Sequence, residues 1–547
     1  MALAQHNKSD NNVVGQAQAD TDWWRGAVIY QVYPRSFMDA SGDGVGDLKG
    51  ITSKLDHIAS LGVDGIWLSP FFTSPMKDFG YDVADFCDVD PIFGTLADFD
   101  ALLARAHALG LKVIIDQVYS HTSDQHPWFQ ESRKGRAGDK ADWYVWADAK
   151  ADGSAPSNWM SVFMGSSWAW DAHRGQYYLH NFLESQPDLN VHNPAVQDAL
   201  LEAGRFWLDR GVDGFRMDAV NFMMHDPEFR DNPPAYEYRG DKPFDLQEHL
   251  YNQSHADIPK FLARVRAMMN DYPGTFTVAE VGGERALEEM QLFTRGEQGL
   301  NTAYSFEFLE ADTLSAKVIR EAVEAWPDTP DMGWPSFTFS NHDRPRAVSR
   351  WALDTQTEDN PAFAKMLNML ILGLRGSVCL YQGEELGLPQ AHVPFERLTD
   401  PEAIANWPAT LGRDGTRTPM PWDANAPHAG FSGHEPWLPV DPRHAARAVS
   451  VQDGDEASVL NALRAFLSFR KTQPALIKGG IRFLEAPEPV LAFDRTYEGE
   501  TLTCVFNLSD QPQTWSGDTS GVSLFSLEGA APGKPLPPHG AYCLRRV

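Results

Sequence analysis

Cysteine is scarce in this chain, with four among 547 residues. They lie far apart in the sequence, at Cys87, Cys379, Cys504 and Cys543. A small secreted fold held by disulfides needs a higher density of paired cysteines, so this class of protein is excluded. We interpret all four as reduced thiols of a protein interior, which is typical of the cytoplasm.

Positively charged residues are also few in comparison with acidic residues. Lys and Arg total 46 against 75 Asp and Glu, which gives a formal net charge of -29 at pH 7. Nucleic acids and anionic membrane surfaces are bound through basic patches, so we expect neither as a partner.

Long apolar runs are missing as well. The nearest approach, residues 366–374, contains Asn368 and is followed by Arg375, so a membrane span is not expected. Residues 1–21 are polar and have no apolar core. We therefore predict a disordered N-terminal tail there and not a signal peptide.

From residue 22 onward, short apolar runs alternate with amphipathic helical stretches, a pattern typical of a parallel sheet covered by helices. Eight such units in one run predict an α/β fold of the (β/α)8 TIM-barrel class. The predicted strands are residues 27–33, 65–69, 111–118, 215–220, 275–281, 302–306, 336–340 and 377–382.

Two regions depart from this alternation. Residues 120–190 are rich in Trp, Asp, Gly and Pro and are too long for a simple loop, which predicts a subdomain inserted after strand 3. The end of the chain changes to alternating strand patterns with turn signals, which predicts a C-terminal antiparallel β domain. The barrel then comprises residues 22–119 and 191–475, with an irregular excursion at about 384–455, and a β-sandwich comprises residues 476–547.

A charged pair lies inside the fourth apolar run, where Arg216 and Asp218 stand two residues apart. In an extended strand both side chains point to the same face. A buried structural ion pair is one explanation. The other is that Arg216 keeps Asp218 ionised as a nucleophile.

More polar side chains accompany neighbouring strands at the same end of the predicted barrel, where barrels of this class carry their active sites. Any one of them has a possible structural explanation, but several acids, two His and an Arg at one end favour a catalytic site. The set comprises Asp116, His121, Arg216, Asp218, Glu280, His342 and Asp343.

Carboxylates that share a site raise one another's pKa, whereas Arg lowers the pKa of its partner. We therefore expect Asp218, beside Arg216, to be an ionised nucleophile. Glu280 follows Val278 and Ala279 in an apolar run, and it is the better candidate for a raised pKa and the role of general acid. Two such carboxyl groups across an acetal carbon indicate a glycosidase.

Four segments contain these residues: Asp-Gln-Val-Tyr-Ser-His at 116–121, Gly-Phe-Arg-Met-Asp at 214–218, Val-Ala-Glu-Val at 278–281 and Phe-Ser-Asn-His-Asp at 339–343. In their order and in their position after the strands, they resemble the four conserved regions of the α-amylase family, glycoside hydrolase family 13. Two further segments, 186–190 and 417–422, are similar to the oligo-1,6-glucosidase and α-glucosidase branch of that family.

The resemblance implies a retaining, exo-acting α-glucosidase with Asp218 as nucleophile and Glu280 as acid/base. It assigns Asp343 as the third carboxylate, which holds sugar hydroxyls and favours ring distortion. It also implies that the nonreducing-end glucose stacks on Tyr81. The full set of implied substrate-binding residues is Tyr81, Asp82, His121, Phe163, Phe182, Arg216, His342 and Arg413.

The residue after the nucleophile bears on the linkage that is cleaved. In this branch of the family a Val there accompanies α-1,6 preference and a smaller residue accompanies α-1,4 preference, so Ala219 favours α-1,4 or broad cleavage of maltose-type glucosides. Transfer to other hydroxyl acceptors is expected beside hydrolysis. Oligo-1,6-glucosidase, sucrose hydrolase or isomerase, and trehalose synthase remain alternatives. A non-catalytic, transporter-associated relative is disfavoured because all three carboxylates are present.

A Gly/Asp-rich turn after the first strand spaces oxygen ligands at alternate positions, as an EF-hand loop does. A turn without metal is the alternative. The resemblance adds that relatives carry Ca2+ or Mg2+ at the matching loop, so we expect a structural cation and no organic cofactor. We expect a monomer or a homodimer. The implied ligands are Asp39, Ser41, Asp43, the carbonyl of Val45, and Asp47.

Overall fold

The computed structural model describes residues 21–546, apart from positions 238, 239, 241, 327, 328, 330–332, 409 and 411. The predicted tail, residues 1–21, therefore lies outside the described residues except for its last position. In the described part of the chain, none of the helices combines the length and the apolarity of a membrane span.

Eight parallel strands, β1 to β8, close into a barrel in which each strand pairs with its sequence neighbours and β8 pairs with β1. This confirms the predicted TIM barrel. The strands are β1 (Val28–Val32), β2 (Gly65–Leu68), β3 (Lys112–Gln117), β4 (Gly214–Met217), β5 (Phe276–Val281), β6 (Thr302–Ser305), β7 (Trp334–Phe337) and β8 (Ser377–Tyr381).

Helices α1 to α8 follow the strands in turn. The first shows how the sequence sets their ends: the Asp47 side chain accepts the N–H of Gly50 at the start, and Gly62 adopts φ 90° after the last turn. The helices are α1 (Leu48–Leu61), α2 (Leu96–Ala108), α3 (Pro194–Asp209), α4 (Ile258–Asn270), α5 (Ala286–Phe293), α6 (Ala316–Glu324), α7 (Pro361–Gly373) and α8 (Val459–Lys471). Shorter helices span Pro127–Ser132, Glu307–Glu310, Ala347–Arg350, Thr355–Asp359, Pro401–Asn406, Pro442–Ala445, Val449–Gln452 and Pro474–Lys478.

Two strands differ from their predicted bounds by more than one residue at an end. β4 ends at Met217, because Ala219 adopts φ 41° and ψ 50° and turns the chain away from the sheet. Asp218 therefore lies at the rim of the barrel and not inside the strand. β7 begins earlier than predicted. It also ends earlier, because a turn follows it in which the Thr338 hydroxyl donates to the Ser340 carbonyl at 2.6 Å.

The segment between β3 and α3 contains a small antiparallel sheet, in which Gln176–Leu179 lies between Trp146–Ala147 and Trp168–Asp171. Its core is aromatic, with Trp159 stacked on Trp168 at 5.7 Å between ring centroids. A second hairpin joins Phe72–Thr73 to Asp85–Val89.

The end of the chain forms one five-stranded antiparallel sheet in the order β9-β10-β11-β13-β12. One face carries Phe493 and Phe506 against Gly373 of α7. The other face packs beneath Trp515 and Leu536, which belong to loops. In the described residues a single sheet thus replaces the predicted sandwich, because loops cover its second apolar face. The strands are β9 (Gly480–Phe483), β10 (Val490–Tyr497), β11 (Glu500–Asn507), β12 (Val522–Leu527) and β13 (Ala541–Arg545).

All four cysteines are free thiols. Cys504 and Cys543 occupy paired positions on β11 and β13, with their sulfur atoms 3.0 Å apart. Cys379 is buried and Cys87 is partly buried.

Candidate active site

The site is organised around Arg216, which lies on β4 and is completely buried. Its Nη1 donates to Asp116 Oδ1 at 2.8 Å and also to Asp218 Oδ1. Its Nη2 lies 2.5 Å from Glu280 Oε1. One guanidinium therefore holds three carboxylates from three neighbouring strands, which explains how so many acids are tolerated in one place.

Glu280 is held by further donors. The Tyr304 hydroxyl donates to Oε1 at 3.1 Å, and the backbone N–H of Ala219 reaches Oε2 at 3.2 Å. The same left-handed turn at Ala219 that ends β4 thus aims this N–H at the acid. The turn that follows the proposed nucleophile, Asp218, is therefore in direct contact with the proposed general acid, Glu280.

Burial has the largest influence on the protonation of these acids. It raises the pKa of Asp218 and of Glu280 to about 7 each, against the attraction of Arg216. The sequence predicted that Arg216 would keep Asp218 ionised, but the pKa of Asp218 is raised because burial outweighs the attraction of Arg216. Raised pKa values of this kind suit a group that donates a proton near neutral pH, as a general acid does.

Asp343 has a different environment. Its Oδ1 lies 2.7 Å from Arg417 Nη2 and 3.6 Å from Arg413 Nη1, and its Oδ2 lies 3.2 Å from His342 Nε2. Burial alone would raise the pKa of Asp343, but these three neighbours outweigh it and hold the pKa well below its ordinary value. Asp343 is therefore the permanently ionised member of the three predicted catalytic carboxylates.

His342 and Tyr81 connect the acids. Burial lowers the pKa of His342 to about 3, so the ring is neutral. Its Nδ1 accepts from the Gln31 amide at 2.8 Å, which leaves the proton on Nε2, 2.6 Å from the Tyr81 hydroxyl. That hydroxyl donates to Asp116 Oδ2 at 3.1 Å, and the Tyr81 and His342 rings stack at 5.4 Å.

Asp82 is engaged within its own loop, contrary to the expectation that it faces the sugar. Its Oδ1 accepts from the Ser74 hydroxyl at 2.9 Å, and its Oδ2 accepts the N–H of Lys77 at 2.9 Å. Asp78 of the same loop is the acid that contacts Arg413, at 2.9 Å. The carboxylate oxygens of Asp82 hold the turn that presents Asp78.

His121 and two aromatic rings complete the predicted set. His121 Nε2 lies 3.2 Å from the Gln186 amide, which also donates to Asp78 at 3.0 Å. The Phe182 ring is 5.0 Å from His121, and the Phe163 ring lies 5.1 Å from the Arg413 guanidinium. The structure thus brings both predicted wall residues to the neighbourhood of Arg413 and His121.

A cleft of about 740 Å³ opens beside Glu280. Its lining also includes Ala219, Phe182 and Phe306. The volume suits a small ligand of a few rings. Glu280 therefore meets solvent through this cleft.

Sequence reasoning missed three residues of the site. Tyr304 lies in the predicted sixth strand, Arg417 opens a segment noted only as a branch marker, and Asp78 lies four residues before Asp82. For Tyr304 the sequence contains one signal, a hydroxyl-bearing residue within a predicted strand. Nothing local distinguishes Asp78 from Asp82.

The predicted metal loop forms a tight turn held by its acids. Asp39 Oδ2 accepts the Ser432 hydroxyl at 2.6 Å, and Asp47 Oδ2 accepts the N–H of Ser41 at 2.8 Å. Carboxylate, hydroxyl and carbonyl oxygens are donors that suit a hard cation. The other predicted ligands, Asp43 and Val45, lie in the same turn.

The comparisons with known proteins agree with this geometry. The model of the α-amylase catalytic domain matches residues 31–479, and the model of the maltogenic amylase C-terminal domain matches residues 481–542. The chain belongs to the α-amylase family. This glycoside hydrolase is 55% identical over 505 residues to a probable alpha-glucosidase of Rhizobium meliloti (strain 1021), with 91% of each chain covered. It is 36% identical over 520 residues to an oligo-1,6-glucosidase of Parageobacillus thermoglucosidasius, with 89% of this chain and 91% of the relative covered.

Solved structures share this fold. The crystal structure of an alpha-glucosyl transfer enzyme, XgtA, matches this glycoside hydrolase with a TM-score of 0.92 and 50% identity, covering 96% of this chain and 99% of that chain. The trehalulose synthase MutB from Pseudomonas mesoacidophila MX-45 matches with a TM-score of 0.87 and 32% identity, over 96% and 99% of the two chains. The predictions of family, fold and enzyme class are confirmed.

Proposed function

We propose that this glycoside hydrolase is a retaining, exo-acting α-glucosidase that releases glucose from the nonreducing end of short α-glucosides. The observation that carries the proposal is the contact of one buried guanidinium, Arg216, with both Asp218 and Glu280. This contact keeps the two carboxyl groups close together, as an acid and a nucleophile that act on one bond must be.

In the first step Asp218 attacks the anomeric carbon while Glu280 donates its proton to the leaving glycosidic oxygen, so one C–O bond forms as another breaks. In the second step the ionised Glu280 takes a proton from water, whose oxygen displaces the Asp218 carboxylate and yields α-glucose. The hydroxyl of a second sugar or of an alcohol in place of water gives transglucosylation. We expect the two carboxyl groups to lie about 5 to 5.5 Å apart, as in retaining enzymes.

Exo action requires a pocket that ends at the terminal glucose. We assign that end to Arg413, whose Nη2 contacts Asp78 and Asp400 at 2.9 Å each, with Phe163 beside it. Both acids are almost completely buried. A fixed cluster of charged groups of this kind suits the hydroxyls of a terminal sugar ring and leaves little room for chain extension.

Ala219 supports α-1,4 or broad cleavage, and the relatives named oligo-1,6-glucosidase and trehalulose synthase supply the alternatives. Hydrolysis rates on maltose, isomaltose, sucrose and trehalose separate them. We expect the highest kcat/KM on maltose. A clear preference for isomaltose would indicate an oligo-1,6-glucosidase instead, and preferences for sucrose or trehalose would indicate a sucrose hydrolase or isomerase, or a trehalose synthase.

Retention is tested by following the anomers of released glucose by NMR during turnover of maltose. We expect α-glucose first, with β-glucose appearing only as fast as mutarotation produces it. An initial burst of β-glucose would overturn the retaining mechanism. A non-catalytic, transporter-associated role would be supported instead by the absence of any glucose release.

We also propose that the turn of Asp39, Ser41, Asp43, Val45 and Asp47 binds a structural Ca2+ or Mg2+. The oxygen-only donor set supports this. Removal of divalent cations with EDTA should lower Tm, and added Ca2+ should restore it. A Tm that ignores both treatments would contradict the assignment.

Cytoplasmic location and a monomeric or homodimeric state are proposed as well. The free thiols of Cys504 and Cys543, close enough to react, support a reducing compartment. Cell fractionation and sedimentation velocity test the two statements.

A further inference from the structure

A second cluster of metal-ligating side chains lies outside the carboxylate site. His192 precedes α3, whereas His255 and Asp257 precede α4. One ligand atom from each of the three lies within 4.8 Å of the other two. Within the described part of the chain, this is the one group of three His, Cys, Asp or Glu that meets this condition.

The hydrogen bonds of His192 prepare it for a metal. Its Nε2 lies 2.8 Å from the backbone carbonyl of His225, and a carbonyl only accepts, so the ring proton is on Nε2. The lone pair of Nδ1 is therefore free of the proton. Metal-ligating histidines are commonly oriented in this way, by donating the other ring N–H to a carbonyl.

His255 and Asp257 supply the other two ligands. The His255 ring stands perpendicular to that of His192, with centroids 4.7 Å apart. Its Nδ1 accepts the N–H of Asp257 at 3.2 Å, a long contact that a cation can replace. Asp257 pairs with Lys260 through Oδ1 at 2.6 Å. Its other carboxylate oxygen, Oδ2, is the one that we assign to the metal.

Access and chemistry agree with a transition-metal ion. All three side chains are partly buried, and His192 and His225 line a cleft of about 370 Å³ that gives an ion a path from solvent. Two imidazoles and one carboxylate, with a position left for water, are a ligand set that Zn2+ prefers. We propose that His192, His255 and Asp257 bind one divalent transition-metal ion, best matched by Zn2+, at a site distinct from the sugar-binding carboxylates.

The position of the site links it to the catalytic loops. His255 follows Ser254, whose N–H donates to the Asn221 carbonyl at 2.7 Å. The Asn221 amide in turn donates to Gln253 at 3.0 Å and to the Gly282 carbonyl at 3.1 Å. Asn221 follows the nucleophile by three residues, and Gly282 follows Glu280 by two. An ion that fixes His255 therefore stabilises the segment on which both catalytic loops rest.

The test uses the full-length protein without an affinity tag, stripped of metal and then supplied with Ca2+ to fill any oxygen-ligand site. Zn2+ is titrated by calorimetry, and Co2+ is added as a spectroscopic probe because its visible absorption reports nitrogen ligation. We expect one equivalent of each ion to bind and Tm to rise with Zn2+. Absence of a Zn2+ binding heat and of a Co2+ absorption band in the wild-type protein would overturn the proposal.

Two variants and one control assign the ligands. His255→Gln and Asp257→Asn should each weaken Zn2+ binding by about tenfold or more, since removal of one ligand costs at least as much as removal of an outer-shell partner. His173→Gln alters an exposed histidine of the insertion and should bind like the wild type. Circular dichroism of the metal-free variants verifies folding. Wild-type affinity in both ligand variants would refute the assignment.

Discussion

Replacing Glu280 with Gln should stabilise the protein above neutral pH while it abolishes glucose release. The carboxyl group is 7% exposed, and burial raises its pKa from an ordinary 4.5 to about 7. Gln has the same shape and keeps an oxygen for the Tyr304 hydroxyl, but it has no charge to desolvate. The variant removes the buried charge together with its ion pair to Arg216, whose attraction already lowers the pKa within the net raised value.

The direction in which stability changes with pH follows from the protons bound by the folded and unfolded states. Between pH 4.5 and about 7 the folded protein keeps the Glu280 proton that the unfolded chain has released, so stability falls as pH rises through this window. Above pH 7 the acid is ionised in both states, and the difference in pKa corresponds to about 3 kcal/mol of lost stability. Glu280→Gln should recover up to about 3 kcal/mol at pH 8 and almost nothing at pH 4.5.

Differential scanning calorimetry of wild-type protein and Glu280→Gln at pH 5 and pH 8 measures this effect. We expect the two melting temperatures to be similar at pH 5 and the variant to melt at the higher temperature at pH 8. Glu297→Gln, at an exposed position, is the matched control and should follow the wild type at both values. A variant that is no more stable than the wild type at pH 8 would show that the buried charge of Glu280 does not destabilise the folded protein.

Three further substitutions test the site. Asp78→Asn should lower kcat/KM on maltose by about 10- to 100-fold, mainly through KM, because it breaks a buried ion pair at the closed end of the pocket; Asp82→Asn should instead lower Tm, and equal kinetic losses for the two would contradict the assignment. Ala219→Gly removes the Cβ that disfavours φ 41° and should raise the free energy of unfolding by about 1 kcal/mol; denaturant titration that finds the Gly variant no more stable would contradict the turn. Tyr304→Phe removes a donor to the Glu280 carboxylate, which raises the acid's pKa further, so the alkaline limb of the kcat/KM profile should move to higher pH, and an unmoved limb would count against the contact.

The periodicity of apolar residues in the sequence predicted most of the fold. The apolar runs that became β3 and β5 placed Asp116 and Glu280 correctly, because a strand buried on both faces leaves its polar residues conspicuous. The residues at the ends of the strands were predicted to meet because all strands of a parallel barrel point the same way. Arg216 is the clearest case, since it contacts acids from both neighbouring strands.

The features of the site that could not be predicted from the sequence depend on contacts between segments far apart in the chain. Asp78 meets Arg413 across 335 positions of sequence, and no local pattern separates it from Asp82. The balance between burial and Arg216 at Asp218 is also a property of the assembled site, because desolvation is set by every element that packs around it. The end of β4 was misplaced since an Ala in a left-handed turn has no signature in sequence.

The most direct test of the account is the capture of the covalent glucosyl-enzyme. The wild-type protein is incubated with a fluorinated α-glucosyl fluoride, whose second step is slow, and intact-mass and peptide mass spectrometry follow. We expect one glucosyl adduct per chain, attached to the peptide that carries Asp218. An adduct on Glu280, or complete turnover of the reagent with the chain never modified, would contradict it.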